Sequence, residues 1–150
     1  MHDERSLNRN EDSVKRLPQA LLAFIHLFNA RRFWESHEVL EQPWRRNKSD
    51  FYQGLIIFAS GYVHAQRGNP VGVRKQMAKV FGKLEKYRPH YMGIDVDAVL
   101  QWAADSIDFV ERHRQLRGPE LTEAIPYPLL RPEVALVRGD EPELHEPSDR

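Results

Sequence analysis

The 150-residue sequence contains no cysteine. This absence excludes disulfide bonds, thiolate zinc sites and a cysteine nucleophile, so a metal site would have to use histidine and carboxylate ligands. A long apolar run is also missing, since the strongly apolar stretch around residues 55–59 is far shorter than the roughly 20 residues that span a bilayer. Residues 1–16 are charged and lack the apolar core of a secretory signal. We therefore expect a cytoplasmic protein without a membrane partner.

The sequence has no excess of charge of either sign. Lysine plus arginine and aspartate plus glutamate each total 22 residues. The net charge therefore provides no long-range attraction to nucleic acid, and we expect no nucleic-acid partner.

Apolar residues recur at helical spacing in the middle of the chain, whereas no stretch shows the alternation typical of a strand. The pattern predicts five helices, at approximately residues 17–29, 32–44, 51–67, 70–87 and 96–114. The predicted N-caps are Ser49 or Asp50, Asn69 and Asp95, and Gly68 is a predicted helix end. The sequence thus predicts an all-α fold, a single compact bundle of about five helices.

The C-terminal part of the chain differs in composition, because six of the ten prolines lie beyond residue 117. A helix cannot propagate through that spacing of prolines. We predict a disordered lead-in at residues 1–13, a helical-bundle domain at 14–117 and a Pro-rich, mostly irregular tail at 118–150 that is partly docked or disordered. The apolar residues 125–130 suit an extended strap across the bundle.

The second predicted helix carries polar residues on its apolar side. In helical projection, the apolar sector of this helix is defined by Phe33, Trp34, Leu40 and Trp44. His37 and Glu41 fall inside this sector. Desolvating an unpaired carboxylate is very costly, and His37, one turn earlier, lies within reach of Glu41.

The third predicted helix has a matching polar row and two glycines. Gln53 and His64 lie on the same side of this helix in projection. Gly54 and Gly61 cost roughly 1 kcal/mol each in a helix interior, which predicts close approach by a neighbouring helix. Because a short turn joins the second and third helices, they should be antiparallel neighbours. We therefore predict a buried cluster, hereafter the predicted cluster, formed by His37, Glu41, Gln53 and His64.

Two segments carry a family resemblance. Residues 28–41 read Phe-Asn-Ala-Arg-Arg-Phe-Trp-Glu-Ser-His-Glu-Val-Leu-Glu, followed by Trp44, and residues 51–56 read Phe-Tyr-Gln-Gly-Leu-Ile, followed by residues 64–69. Together they resemble the domain-of-unknown-function family 309, over roughly residues 20–88. The resemblance implies a compact helical bundle but no activity. It implies that the family pattern has polar residues at the positions of Glu35, His37, Glu38, Glu41, Gln53, His64 and Asn69. Ile57 departs from the pattern, where a second glutamine often stands, so a site here should be smaller or drier.

Three interpretations of the predicted cluster stay open. The first is a structural network that cross-links two central helices. The second is a binding or interaction module, or a surface for homo-oligomer formation. The candidate binding residues are His37, Glu38, Glu41, Trp44, Gln53 and His64.

The third interpretation is a metal-dependent hydrolase. A divalent metal would be held by His37, Glu41 and His64, with Glu38 or Glu35 as the candidate catalytic base. The string at residues 37–41 has glutamate where the HExxH zinc motif has its second histidine, so that motif is not matched.

Overall fold

The structure is a computed structural model that describes residues 17–145. Within this range the chain forms six α-helices: α1 (Gln19–Asn29), α2 (Phe33–Asn47), α3 (Asp50–Gln66), α4 (Pro70–Leu84), α5 (Val96–Arg112) and α6 (Gly118–Ala124). Three short 3-10 helices cover Glu85–Tyr87, Val134–Leu136 and Pro142–His145. Two short strands, β1 (His90–Tyr91) and β2 (Ile94–Asp95), pair antiparallel. The predicted all-α fold class is confirmed, while the predicted lead-in lies outside the described residues.

Local signals explain where several helices begin and end. The side chains of Ser49, Asn69 and Asp95 each accept a backbone N–H from three residues further on, at 3.2, 3.1 and 2.9 Å. Each therefore satisfies a donor that a helix N-terminus leaves free. Gly68 adopts a left-handed φ of 67° just after α3, as a glycine after a helix commonly does.

Three local features differ from the prediction. The helix α2 continues through Pro43 and ends only where Lys48 becomes left-handed, with φ 54°. Pro43 is buried, so its ring packs in the core although it removes one backbone N–H bond from the helix. The helix α6 forms within the predicted Pro-rich tail. It can include Pro119 because this proline occupies the first turn, where the backbone N–H has no partner in the helix. The strands β1 and β2 have two residues each, too few to show an alternating pattern.

The helix α3 lies at the centre of the bundle, packed between α2 and α4. A Cβ atom added to Gly54 would overlap Leu84, and one added to Gly61 would overlap Met77. Both contacted residues belong to α4, so the absence of a side chain lets α4 pack closely on α3. The close approach predicted from the two glycines is confirmed.

An aromatic cluster joins α1, α2, α3 and the tail. The ring of Phe28 lies 4.9 Å from that of Phe33 and 5.4 Å from that of Phe58, between centroids. Tyr62 packs edge-on against Phe58 at 5.1 Å and lies 5.9 Å from Tyr127 of the tail. Such aromatic pairs add about 1 kcal/mol each beyond their buried area, so this cluster anchors the ends of α1–α3 and the tail together.

The tail segment 125–130 lies across the bundle. Ile125 and Leu130 are buried. The side chain of Asn29 accepts the backbone N–H of Leu130 and donates to its carbonyl, both at 2.7 Å. A residue at the end of α1 thereby binds a chain segment 101 residues away. Across the described range, no helix is both long and apolar enough to cross a membrane.

Candidate functional site

Only part of the predicted apolar sector of α2 faces the core. Phe33, Ser36, Leu40 and Pro43 are the buried residues of this helix, and they recur at helical spacing along one side. Trp34 instead has 48% of its surface exposed. Placing Trp34 on the core side was therefore wrong, because the side of α2 that its neighbours cover is narrower than the sector its apolar residues span.

His37 and Glu41 lie together at the edge of this buried side. The Nδ1 atom of His37 is 3.1 Å from Oε1 of Glu41, and their side chains are 20% and 26% exposed. The contact lacks hydrogen-bond geometry, since His37 Nδ1 has no hydrogen-bond partner within the described range. The other carboxylate oxygen of Glu41 accepts from Arg45 at 2.8 Å. Glu41 is thus half-buried and already charge-paired by an arginine.

Trp34 links this pair to α3. Its ring stacks on that of His37, with centroids 5.4 Å apart and an interplanar angle of 18°. The guanidinium carbon of Arg67 lies 5.5 Å from the Trp34 ring centroid, within the range of a cation–π interaction. Arg67 is the residue after α3, so this contact connects the end of α3 to the start of α2. We call the resulting patch the Trp34 surface; its members are Trp34, His37, Glu41, Arg45 and Arg67.

His64 contacts α4 and its N-cap. Its Nδ1 atom is 3.3 Å from the Asn69 side-chain nitrogen, and its ring occupies the space that a Cβ on Gly72 would need. Burial, aided by the nearby Arg67 guanidinium, lowers the pKa of His64 below its usual range. Arg67 therefore connects His64 to the Trp34 surface.

Gln53 lies far from His64 along α3. Eleven residues of helix separate the two positions, which is a rise of about 16 Å along the axis. A helical projection shows which side of a helix a residue occupies but omits this rise. The structure thus brings His37 and Glu41 into contact. It places His64 beside Asn69 and Arg67 at the end of α3 and leaves Gln53 at the opposite end of that helix.

The proposed metal ligands do not form a group. Within residues 17–145, no three His, Cys, Asp or Glu side chains are placed to hold a metal ion. His37, Glu41 and His64 therefore do not form such a group. Of the candidate bases, Glu38 is exposed, and the hydrogen bond from Arg32, 2.7 Å long, lowers the pKa of Glu35.

Trp44, another candidate binding residue, is half-buried at the other end of α2. The ammonium of Lys48 lies 4.6 Å from its ring centroid. Its indole Nε1 is buried without a hydrogen-bond partner among the described residues. Ten residues of helix, a rise of about 15 Å, separate Trp44 from Trp34.

Sequence reasoning missed Arg45, Arg67 and the exposure of Trp34. The Glu41–Arg45 pair has the i, i+4 spacing of a helical ion pair, so this contact was visible in the sequence. The position of Arg67 over Trp34 depends on how α2 and α3 pack, and no local pattern predicts it.

The described residues thus define an all-α bundle that exposes a patch of aromatic and charged side chains on α2. Comparison with protein families gives a match over residues 21–76 to a family described as "Domain of unknown function (DUF309)". The predicted resemblance to this family is therefore confirmed over these residues. The match spans α1 to the middle of α4 and contains the whole Trp34 surface. No curated protein and no solved structure matches the chain.

Proposed function

We propose that this protein is an interaction module that binds another protein through the Trp34 surface. The observation that carries the proposal is the exposed indole of Trp34, which contacts both the stacked ring of His37 and the guanidinium of Arg67. Tryptophan and arginine dominate the binding energy of many protein interfaces. A large apolar ring kept exposed in a fixed position is suited to bury its surface against a partner.

Neighbouring contacts hold the patch in one arrangement. His37 stacks on Trp34, Glu41 contacts His37, and Arg45 donates to Glu41. These residues are spaced three or four positions apart on one rigid helix. Binding through side chains that are already ordered loses less conformational entropy, so this arrangement favours affinity.

The charges of the patch indicate the chemistry of the partner. Arg45 is neutralised by Glu41, whereas Arg67 forms no ion pair with an acid within residues 17–145. An acidic group beside an apolar side chain on the partner would pair with Arg67 while the apolar group covers the indole. We therefore infer a partner protein that presents an apolar side chain next to a carboxylate.

The test begins with affinity capture on the full chain, followed by calorimetry with each purified captured protein. Trp34→Ala should weaken binding about 30-fold, the equivalent of a hot spot worth 2 kcal/mol. Arg67→Glu should weaken it as well, by repelling the partner carboxylate. Leu129→Ala is the matched control, because Leu129 is 53% exposed on the tail and should leave binding unchanged.

Equal affinity of the wild type and Trp34→Ala for every captured protein would contradict the proposal. Sedimentation velocity adds a second check. Self-association that Trp34→Ala abolishes, without any other partner, would replace the proposed partner by a second copy of this chain.

A further inference from the structure

A cavity of about 430 Å³ lies between the start of α4 and the end of α5. Three arginines line it: Arg74 of α4, and Arg114 and Arg117 in the connection that follows α5. Glu111 is the single acid among its lining residues in the described range, and Val71 and Val110 add apolar surface. The cavity therefore combines a local excess of positive charge with a small apolar wall.

The three arginines have no acidic partners among the residues that the structure describes. Within residues 17–145, neither Arg74, Arg114 nor Arg117 forms an ion pair, and Glu111 forms none either. Elsewhere in the same range, a guanidinium nitrogen lies within 3.2 Å of a carboxylate in Arg32, Arg45, Arg88, Arg112 and Arg138. Like charges that lie near one another repel, and the single carboxylate of Glu111 balances only one of the three arginines. An anion in the cavity would remove the remaining repulsion.

A backbone contact holds together the two chain segments that carry the arginines. The backbone N–H of Gly118 donates to the carbonyl of Gly68 at 2.9 Å, and the Gly68 Cα has no room for a side chain beside Gly118. This contact ties the segment that carries Arg117 to the loop that leads into α4. The start of α4 also contributes the positive end of its helix dipole. The positive groups around the cavity are therefore brought together by packing and not by chance exposure.

We propose that this cavity binds a small organic phosphate with at least two negative charges. The arginines would hold the phosphate oxygens, since a guanidinium offers paired N–H donors that match them. Three arginines and one glutamate leave two positive charges, which a diphosphate group would neutralise. Val71 and Val110 would contact an apolar part of the ligand. This site is separate from the Trp34 surface and does not depend on the proposed protein partner.

The test is calorimetric titration of the full chain with pyrophosphate and with inorganic phosphate, at constant ionic strength. We expect saturable binding of pyrophosphate that is tighter than that of phosphate. Arg74→Ala, Arg114→Ala and Arg117→Ala should each weaken it about tenfold or more, because each removes a hydrogen bond between charged groups. All three side chains are exposed, so the variants should melt like the wild type.

Lys79→Ala is the matched control. It removes one exposed positive charge from the same helix α4, away from the cavity lining, and should leave pyrophosphate binding unchanged. The absence of saturable binding, or equal loss in Lys79→Ala and the arginine variants, would overturn the proposal. An RNA or DNA oligonucleotide that binds tighter than pyrophosphate, through the same arginines, would also overturn it.

Discussion

Residues 21–76 and residues 118–145 are stabilised in different ways. The first region forms regular helices with N-caps at Ser49 and Asn69 and a close α3–α4 contact at two glycines. The second region has one short α-helix and two 3-10 helices, and it is attached through bonds to distant residues. One example is Thr122, whose hydroxyl donates to the carbonyl of Ala65 at 2.8 Å. The comparison shows that irregular chain can be well packed when its polar groups find specific partners.

The tail also contains two buried acids. Glu141 is fully buried and accepts the backbone N–H groups of Gly139 at 2.7 Å and Met92 at 3.2 Å. Glu143 is 5% exposed and accepts from the hydroxyls of Ser49, at 2.7 Å, and Tyr91. Ser49 is also the N-cap of α3, so the end of the tail contacts the start of the central helix.

The largest expected effect lies where the two regions meet. Gly68→Ala should lower the free energy of unfolding by about 3 kcal/mol, since the new Cβ would overlap the backbone of Gly118 at a left-handed φ. Chemical denaturation measures the change. Gly82→Ala is the control, because nothing lies within 4 Å of its added Cβ, and it should stabilise the protein by about 0.5 kcal/mol. A Gly68→Ala variant as stable as the wild type would show that the close Gly68–Gly118 contact is unimportant.

A second prediction concerns the buried acid of the tail. Glu141→Ala leaves backbone N–H groups without their acceptor and should cost about 2 kcal/mol in denaturant unfolding. Glu133→Ala, which alters an exposed side chain of the same tail, should be nearly neutral.

The pH dependence of stability sharpens this test. Burial raises the pKa of Glu141, but hydrogen bonds from backbone N–H groups outweigh it and lower the pKa below the usual range. The unfolded chain therefore takes up the proton first as the pH falls. The stabilisation by Glu141 is present above the unfolded pKa of about 4.3 and is lost as the pH falls through the folded pKa. As the pH falls through that range, the free energy of unfolding should decrease less in Glu141→Ala than in the wild type. If the two proteins lose equal amounts of stability, the lowered pKa of Glu141 is refuted.

The third prediction tests the strap over residues 125–130. Asn29→Ala removes both bonds to Leu130 and should lower stability by about 1.5 kcal/mol. Limited proteolysis should then cut the segment faster than in the wild type. Gln42→Ala, an exposed substitution on α2, serves as control. Unchanged cutting in Asn29→Ala would mean that apolar contacts alone hold the strap.

The smallest effect is expected on the Trp34 surface. His37→Ala should cost less than about 1 kcal/mol, because His37 and Glu41 are partly exposed and Glu41 keeps its bond to Arg45. A buried, mutually dependent pair would instead cost several kcal/mol. Thermal or denaturant unfolding distinguishes the two cases, and a loss of 3 kcal/mol would restore the structural-network interpretation.

The outline of the fold was predictable because its signals are local. Gly68, Asn69 and Asp95 mark helix ends through their own backbone preferences and side-chain bonds, and Gly54 and Gly61 mark a tight helix contact. The candidate site was only partly predictable. A helical projection placed Gln53 beside His64 but omitted the rise between them. It also placed Trp34 on the core side, although 48% of the surface of Trp34 is exposed.

The sequence by itself determined the all-α class, most helix ends and the pairing of His37 with Glu41, since each depends on residues at most a few positions apart. Tertiary structure alone decided that Arg67 lies against Trp34, that three arginines converge on one cavity and that Glu141 is buried. The physical reason is that exposure and charge pairing depend on which segments pack together, and those segments lie far apart in the chain.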